Sequence, residues 1–255
     1  MTLVVHQNLA ARHARYNLGR AHRDQSAALE RMSSGMRLNR SADDTTSYAL
    51  STRLASSIES YATAGENAKN GLNLVRSMES TATEMLGVID RMRQVATQTA
   101  TGTLTNDDRV QAQIEFSALQ AEIQRLSQTT HVNGIQGLAA STQLTFQVGI
   151  RSGAQNKVAV TLSPMTLGAL SIGGIGVSTQ GVAQVALSAL INAESMLVNL
   201  QTRLGARHNE LSSAELNTMS QVENLTGTYA SMRDKTLHTR TKIEPRSLNS
   251  SCIKN

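Results

Sequence analysis

Apolar positions recur at three- and four-residue steps along most of the chain, and one short region switches to a two-residue step. From about residue 8 to 32, Leu9, Leu18, Ala21, Ala28, Leu29 and Met32 form an incomplete helical stripe, with Arg12, Arg15, Arg20 and Arg23 on other faces. Ser33, Ser34 and Gly35 end it, the glycine supplying the permissive backbone that helix ends favour. The pattern restarts near Thr46, behind Asp43 and Asp44, whose carboxylates suit the free amides and positive end of a helix. It then runs to about residue 100 through Leu50, Leu54, Ile58, Tyr61, Ala68, Leu72, Val75, Ala82, Leu86 and Ile89. That seam of roughly 3.5 residues implies a helix on the order of 75 Å long, which needs companions of similar length.

Residues 101–108, TGTLTNDD, combine turn and cap residues, so the chain reverses there and restarts a helix near Asp107. Val110, Ile114, Leu119, Ile123 and Leu126 carry this stripe to about Gln128, and HVNG at 131–134 stops it, giving an antiparallel helix pair. The period then becomes two: Leu144, Phe146 and Val148 alternate with polar residues, as do Val158, Val160 and Leu162, so residues 143–162 read as one hairpin packed on the helices. Five glycines between 168 and 181 mark a flexible crossing. A last long helix begins near Gly181, with Val182, Val185, Ala189, Met196, Leu200, Leu204, Leu211, Met219, Val222, Leu225, Tyr229 and Met232 along it. The fold class is therefore mainly α: a long antiparallel helical rod or coiled-coil bundle with one small β-hairpin.

Composition supports length over compactness. Of the 255 residues 2% are aromatic and none is Trp, so burial relies on aliphatic side chains and Met. The prolines are Pro164 and Pro245, leaving the first 163 residues without an obligatory breaker. The net charge of +5 is uneven: residues 1–40 carry +5 and residues 231–255 carry +4, so the middle is acidic. With no aromatic platform and no zinc or RNA-binding signature beside the basic ends, nucleic acid is not indicated and solvated helix faces account for the charge.

Cys252 is the lone cysteine, which excludes an intrachain disulfide or a thiolate metal site. His6, His13 and His22 lack the spacing of a metal pair. No apolar run approaches the roughly 20 residues a membrane span requires, and the start has no adequate signal-peptide core, so a soluble chain with no membrane insertion is expected. No nucleophile elbow, phosphate loop, HExxH or dinucleotide pattern occurs. Asp43 with Asp44 and Asp107 with Asp108 read as helix caps, so neither an enzyme nor a cofactor is expected.

The segment SSGMRLNRSADD closely resembles the amino-terminal signature of bacterial flagellins. Ser33, Ser34, Gly35, Arg37, Asn39, Asp43 and Asp44 match it; Arg40 stands where a small residue is usual, and Thr45, Thr46 and Ser47 replace a smaller run. Phe146, Gln147, Val148 and Gly149 resemble the start of the family's hairpin, Asn133 with Gly134 its FNG with Val132 in place of Phe, and Arg203 to Asn209 its RxxxGAxxNR-like segment. The resemblance implies a secreted, extracellular subunit of a helical filament used for motility, exported by the flagellar type III apparatus and assembled beneath a filament cap.

In those terms residues 1–44 are the filament-core helix and loop, 45–180 the rod domain, and 181–234 a rod and core helix. Residues 235–255 are an atypical, disordered tail. The short link in place of large outer domains implies a minimal member. The tail KTLHTRTKIEPRSLNSSCIKN departs from the family's terminal helix, as a frameshift or truncation, or a naturally divergent end, would make it. The family's Toll-like innate immune receptor motif falls on residues 89–95: Arg91 and Arg93 match, Asp90, Gln94 and Val95 depart, and Glu115 holds the matching acidic position, a set that equally suits axial subunit packing. A hook-filament junction protein and a soluble helical adaptor are the alternatives, distinguished by ending as a short ring or a small oligomer rather than a filament.

Overall fold

The computed structural model describes residues 9–234. In order these form α1 (Leu9–Ser34), α2 (Thr45–Thr99), α3 (Asn106–Thr129), β1 (His131–Val132), β2 (Ile135–Gln136), β3 (Thr142–Gln147), β4 (Lys157–Leu162) and α4 (Gln180–Arg233), with one 3-10 turn, Ala154–Asn156, between β3 and β4. Pattern and caps place these boundaries to within a residue or two. The atypical tail and Cys252 lie outside the described residues. The described residues divide into two compact units, residues 9–58 with 223–234, and Glu59–Val222.

In the unit Glu59–Val222, α3 runs back along α2. Arg109 reaches Thr99 at 3.0 Å, Arg91 pairs with Glu115, and Thr130 meets Thr81 at 3.2 Å. The part of α4 in this unit is likewise antiparallel to α2. Arg93 meets Glu194, Thr83 meets Gln201, Arg76 meets His208 and Gly71 lies under Leu211, so falling numbers on one helix face rising numbers on the other. These contacts are the companions that a long amphipathic helix requires.

Their core differs from the expected stripes in informative ways. Along α2 the fully buried row is Met78, Ala82, Met85, Ile89 and Met92, whereas Leu50, expected to face inward, is 42% exposed. On α3, Phe116 is buried with Ile123 and Leu126, while Val110 and Ile114 point outward. On α4, Ala183, Ala186, Leu190, Ala193 and Leu197 are buried, while Val182, Val185, Met196 and Met219 are exposed. The expected stripe residues Ala68, Leu72, Val75, Ala82 and Ile89 of α2, Ile123 and Leu126 of α3, and Leu200, Leu204 and Leu211 of α4 are buried, and flexible methionines and small alanines complete the core between them.

β3 and β4 pair antiparallel with Leu144 opposite Val160 and Phe146 opposite Val158. Val158, Val160 and Leu162 are buried on the helices as alternation requires. Asn67 donates to the Gln147 carbonyl at 3.2 Å, and Arg203 donates to the Thr161 carbonyl at 3.0 Å, so α2 and α4 each hold the hairpin. A second, smaller hairpin corrects the expectation of one: β1 and β2 pair around Asn133 (φ 52°) and Gly134 (φ 78°), where the expected stop is a two-residue turn.

The crossing at 168–181 is not a loose link. Leu170, Ile172 and Val177 are buried, and α3 pins this path of successive turns with three glutamines. Gln113 accepts from the Val177 amide, Gln120 donates to the Ile172 and Ile175 carbonyls, and Gln124 accepts from the Leu167 amide. Glycine count signals backbone freedom, but a neighbouring helix that offers amide side chains at the right spacing removes it.

α4 is apolar on average, with Gln184, Ser188, Asn192, Glu194 and Ser195 interrupting any continuous apolar run. By length and composition it is the one helix among the described residues able to cross a membrane. Its inward face belongs to the core just described.

Candidate functional site

The family-signature loop is a polar knot between α1 and α2, and its geometry follows from which groups the two helix ends leave free. Gly35, at φ 69°, takes the left-handed conformation that terminates α1. Ser34 accepts from the Met36 amide at 3.2 Å, while Ser33 is exposed. Leu38 is 2% exposed and is the loop's buried residue. Asp44 caps α2, accepting from the amides of Thr46 and Ser47 at 3.1 Å each and from the Ser47 hydroxyl at 2.6 Å. Those bonds, the Ser47 hydroxyl foremost, hold its carboxyl below the usual carboxylate range.

Asp43 does something else, which corrects its assignment as a second cap. One oxygen accepts from the amides of Asn39 and Arg40 at 3.1 and 3.0 Å, and the other pairs with Arg31 at 3.1 Å, so it folds the loop. The amide bond from Arg40, then that from Asn39, then Arg31 lower its pKa. Glu30 gathers Asn39 at 3.1 Å and Arg40 at 2.9 Å, which gives the atypical Arg40 a partner. Arg37 leaves the loop: its amide donates to the Arg233 carbonyl and its guanidinium to the Met232 carbonyl, both at 2.8 Å, beside a bridge between Met36 and Asp234. These bonds satisfy carbonyls at the C-terminus of α4, and the Arg233 guanidinium sits over and hydrogen-bonds Tyr229.

The second candidate set is only partly brought together. Arg91 reaches Glu115 at 2.5 and 2.8 Å and Gln94 at 3.3 Å, and Arg93 pairs with Glu194 at 2.6 Å, with Asp90 3.8 Å away. Val95 is 2% exposed and belongs to the core, so it drops out as a surface contact. Glu194, which the sequence reading did not name, joins the set from α4; nothing local to residues 89–95 signals it.

Arg109 was also missed. It is 6% exposed and donates to the carbonyls of Thr99 and Thr101 and to the Asn106 side chain, sealing the C-terminus of α2 against the next turn. At the start of α3, Thr105 and Asp108 form a reciprocal capping box, and Asp107 is left as a first-turn acid. No cluster of three or more His, Cys, Asp or Glu able to hold a metal occurs among the described residues.

The arrangement is that of a building block: long helices joined by capped polar turns, with the charged candidates engaged in structural pairs. Residues 5–143 match the bacterial flagellin N-terminal helical region, and the chain belongs to the bacterial flagellin family. It is similar to the flagellar filament 33 kDa core protein of Treponema phagedenis, 27% identical over 247 residues, covering 91% of this chain and 86% of that one. A flagellin of Halalkalibacterium halodurans is 27% identical over 234 residues with the same coverage. Among solved structures, a Bacillus cereus flagellin aligns with a TM-score of 0.54 at 22% identity, over 64% of this chain and 94% of its own. A putative flagellar hook-associated protein from Vibrio parahaemolyticus aligns with a TM-score of 0.64 at 16% identity, over 75% and 100%. At those identities the two structures speak for the fold.

Proposed function

We propose that this chain is a structural subunit that polymerises into the bacterial flagellar filament and so serves motility. The observation that carries the reading is the flagellin match over residues 5–143. Apolar side chains left on the outside support it: Ile114, Val185, Leu216 and Met219 are each more than 60% exposed. Such residues gain burial when copies pack, and a repeated head-to-tail contact that does not close makes a helical filament. The fold likeness to a hook-associated protein does not favour the junction reading over this one.

The finer reading is a minimal flagellin, exported by the flagellar type III apparatus, assembled under a filament cap and resident in the extracellular flagellum. Residues 1–44 line its inner tube, and 45–180 with 181–234 form its rod and core. Recognition by a Toll-like innate immune receptor, if carried by this chain, rests on Arg91, Arg93 and Glu115, since Val95 is internal. A receptor reporter assay that stays silent with purified monomer would defeat that last part.

The test of the main reading is negative-stain electron microscopy after salt-induced polymerisation, beside a version carrying a family-like terminal helix after residue 234. Filaments from either preparation uphold the subunit reading, and filaments only from the second identify the tail as the defect. Folded protein that yields none from both overturns it.

A further inference from the structure

The helix α1 combines three features. At 100° per residue, Ala14, Leu18, Ala21, Ala28, Leu29 and Met32 fall within one arc of about 100°, interrupted by Gln25. None of the helix's residues is buried: Leu18 is 72% exposed and Met32 69%. Arg12, Arg15, Arg20 and Arg23 lie outside that arc, and among the described residues none of the four has an ion-pair partner. By contrast Arg31 and Glu30, at the helix's end, are engaged by the loop through Asp43 and Arg40.

The chain's own residues beyond 234 are poor candidates to cover this arc. They carry five Lys or Arg against Glu244 and would bring like charge to a basic helix, and Pro245 interrupts them. What a narrow apolar arc set in an arginine-rich polar face complements is an apolar layer beneath a negative surface.

We propose that in the free subunit α1 is a peripheral binding element for anionic lipid surfaces. Leu18, Leu29 and Met32 enter the boundary between headgroups and acyl chains, and Arg12, Arg15, Arg20 and Arg23 pair with lipid phosphates. The helix lies in the surface and does not cross it. This goes beyond the filament reading and concerns the chain before assembly; packing among copies and lipid binding compete for the same face.

The test is co-sedimentation of the full chain, kept monomeric at low concentration, with vesicles of phosphatidylcholine alone or mixed with phosphatidylglycerol. Retention on the mixed vesicles, lost at high salt, is expected. Each arginine at the surface contributes a factor of about five, so Arg12→Gln, Arg15→Gln, Arg20→Gln and Arg23→Gln together weaken binding by more than about a hundredfold. Leu18→Gln with Leu29→Gln also releases the chain, whereas Arg151→Gln with Lys157→Gln in the hairpin does not. Equal retention on neutral vesicles, no retention, or release by the hairpin pair overturns the proposal. So does pelleting without vesicles, which makes a second copy the occupant. Because the filament reading is scored separately by microscopy, either idea fails without the other.

Discussion

The unit Glu59–Val222 and helix α1 use the same amphipathic helical pattern and treat it oppositely. In the first, α2, α3, α4 and the larger hairpin bury one continuous set of side chains, with Met78, Met85, Met92, Phe116 and Leu197 inaccessible. In α1 the apolar and polar positions separate more sharply than along α2 or α4, yet no residue is buried. Sharp segregation marks a helix with one apolar contact face. A helix gripped from several sides carries apolar residues around most of its circumference, and its periodicity blurs. Burial therefore follows the number of companions rather than the clarity of the stripe.

Substitutions should separate the two regions cleanly. Phe116→Ala removes a fully buried ring and should cost about 3–5 kcal/mol, read as a lower midpoint in urea unfolding. A loss below about 1 kcal/mol would mean that this core is loosely packed. Arg109→Met strips the partners from the Thr99 and Thr101 carbonyls and should cost about 1–3 kcal/mol, with faster amide exchange at the end of α2. Gly137→Ala places a methyl 2.5 Å from the Met78 sulfur and 2.9 Å from Leu162; about 1–3 kcal/mol is expected, and unchanged thermal unfolding would show that the Met78 and Leu162 side chains move aside freely.

Acid should act through the caps and the loop that Asp43 folds. The carboxyls of Asp43, Asp44 and Asp108 are lowered by their hydrogen bonds in the fold, so their contribution is fully present above the ordinary carboxylate range. It is lost as pH falls through the depressed folded values. Asp44→Asn should blunt that acid-induced loss of helix in far-UV circular dichroism, and an identical titration curve would remove Asp44 from the account. At the small end, Leu18→Ala in α1 should move unfolding by no more than about 0.5 kcal/mol, since the side chain is mostly exposed. A larger drop in dilute monomer would show that α1 is covered after all.

Much of the architecture was legible because its signals are local. Gly35, Asp44, Thr105 and the pair Asn133 and Gly134 act within a turn of their own position, so helix ends were placed within a residue or two, although the last pair turns a small hairpin where only a stop was expected. The signature residues Arg37, Asn39 and Asp43 could be picked out as a set, but not their roles. Asp43 folds the loop through Arg31 and two amides, and Arg37 reaches carbonyls 195 and 196 residues away. The receptor-like set lost Val95 and gained Glu194 for the same reason: a helical position's exposure depends on what lies across from it.

The sequence by itself determined the four helices, their caps, the alternating hairpin and the family, all of which depend on period, turn chemistry or contiguous motif. Only the tertiary structure decided which stripe residues stay exposed, such as Leu50, Val110 and Met219, and which methionines and alanines complete the core. It also decided that the glycine-rich crossing is held by Gln113, Gln120 and Gln124. Those outcomes depend on shape and hydrogen-bond partners supplied by residues far along the chain, and packing at near-crystalline density selects on shape as strongly as on hydrophobicity.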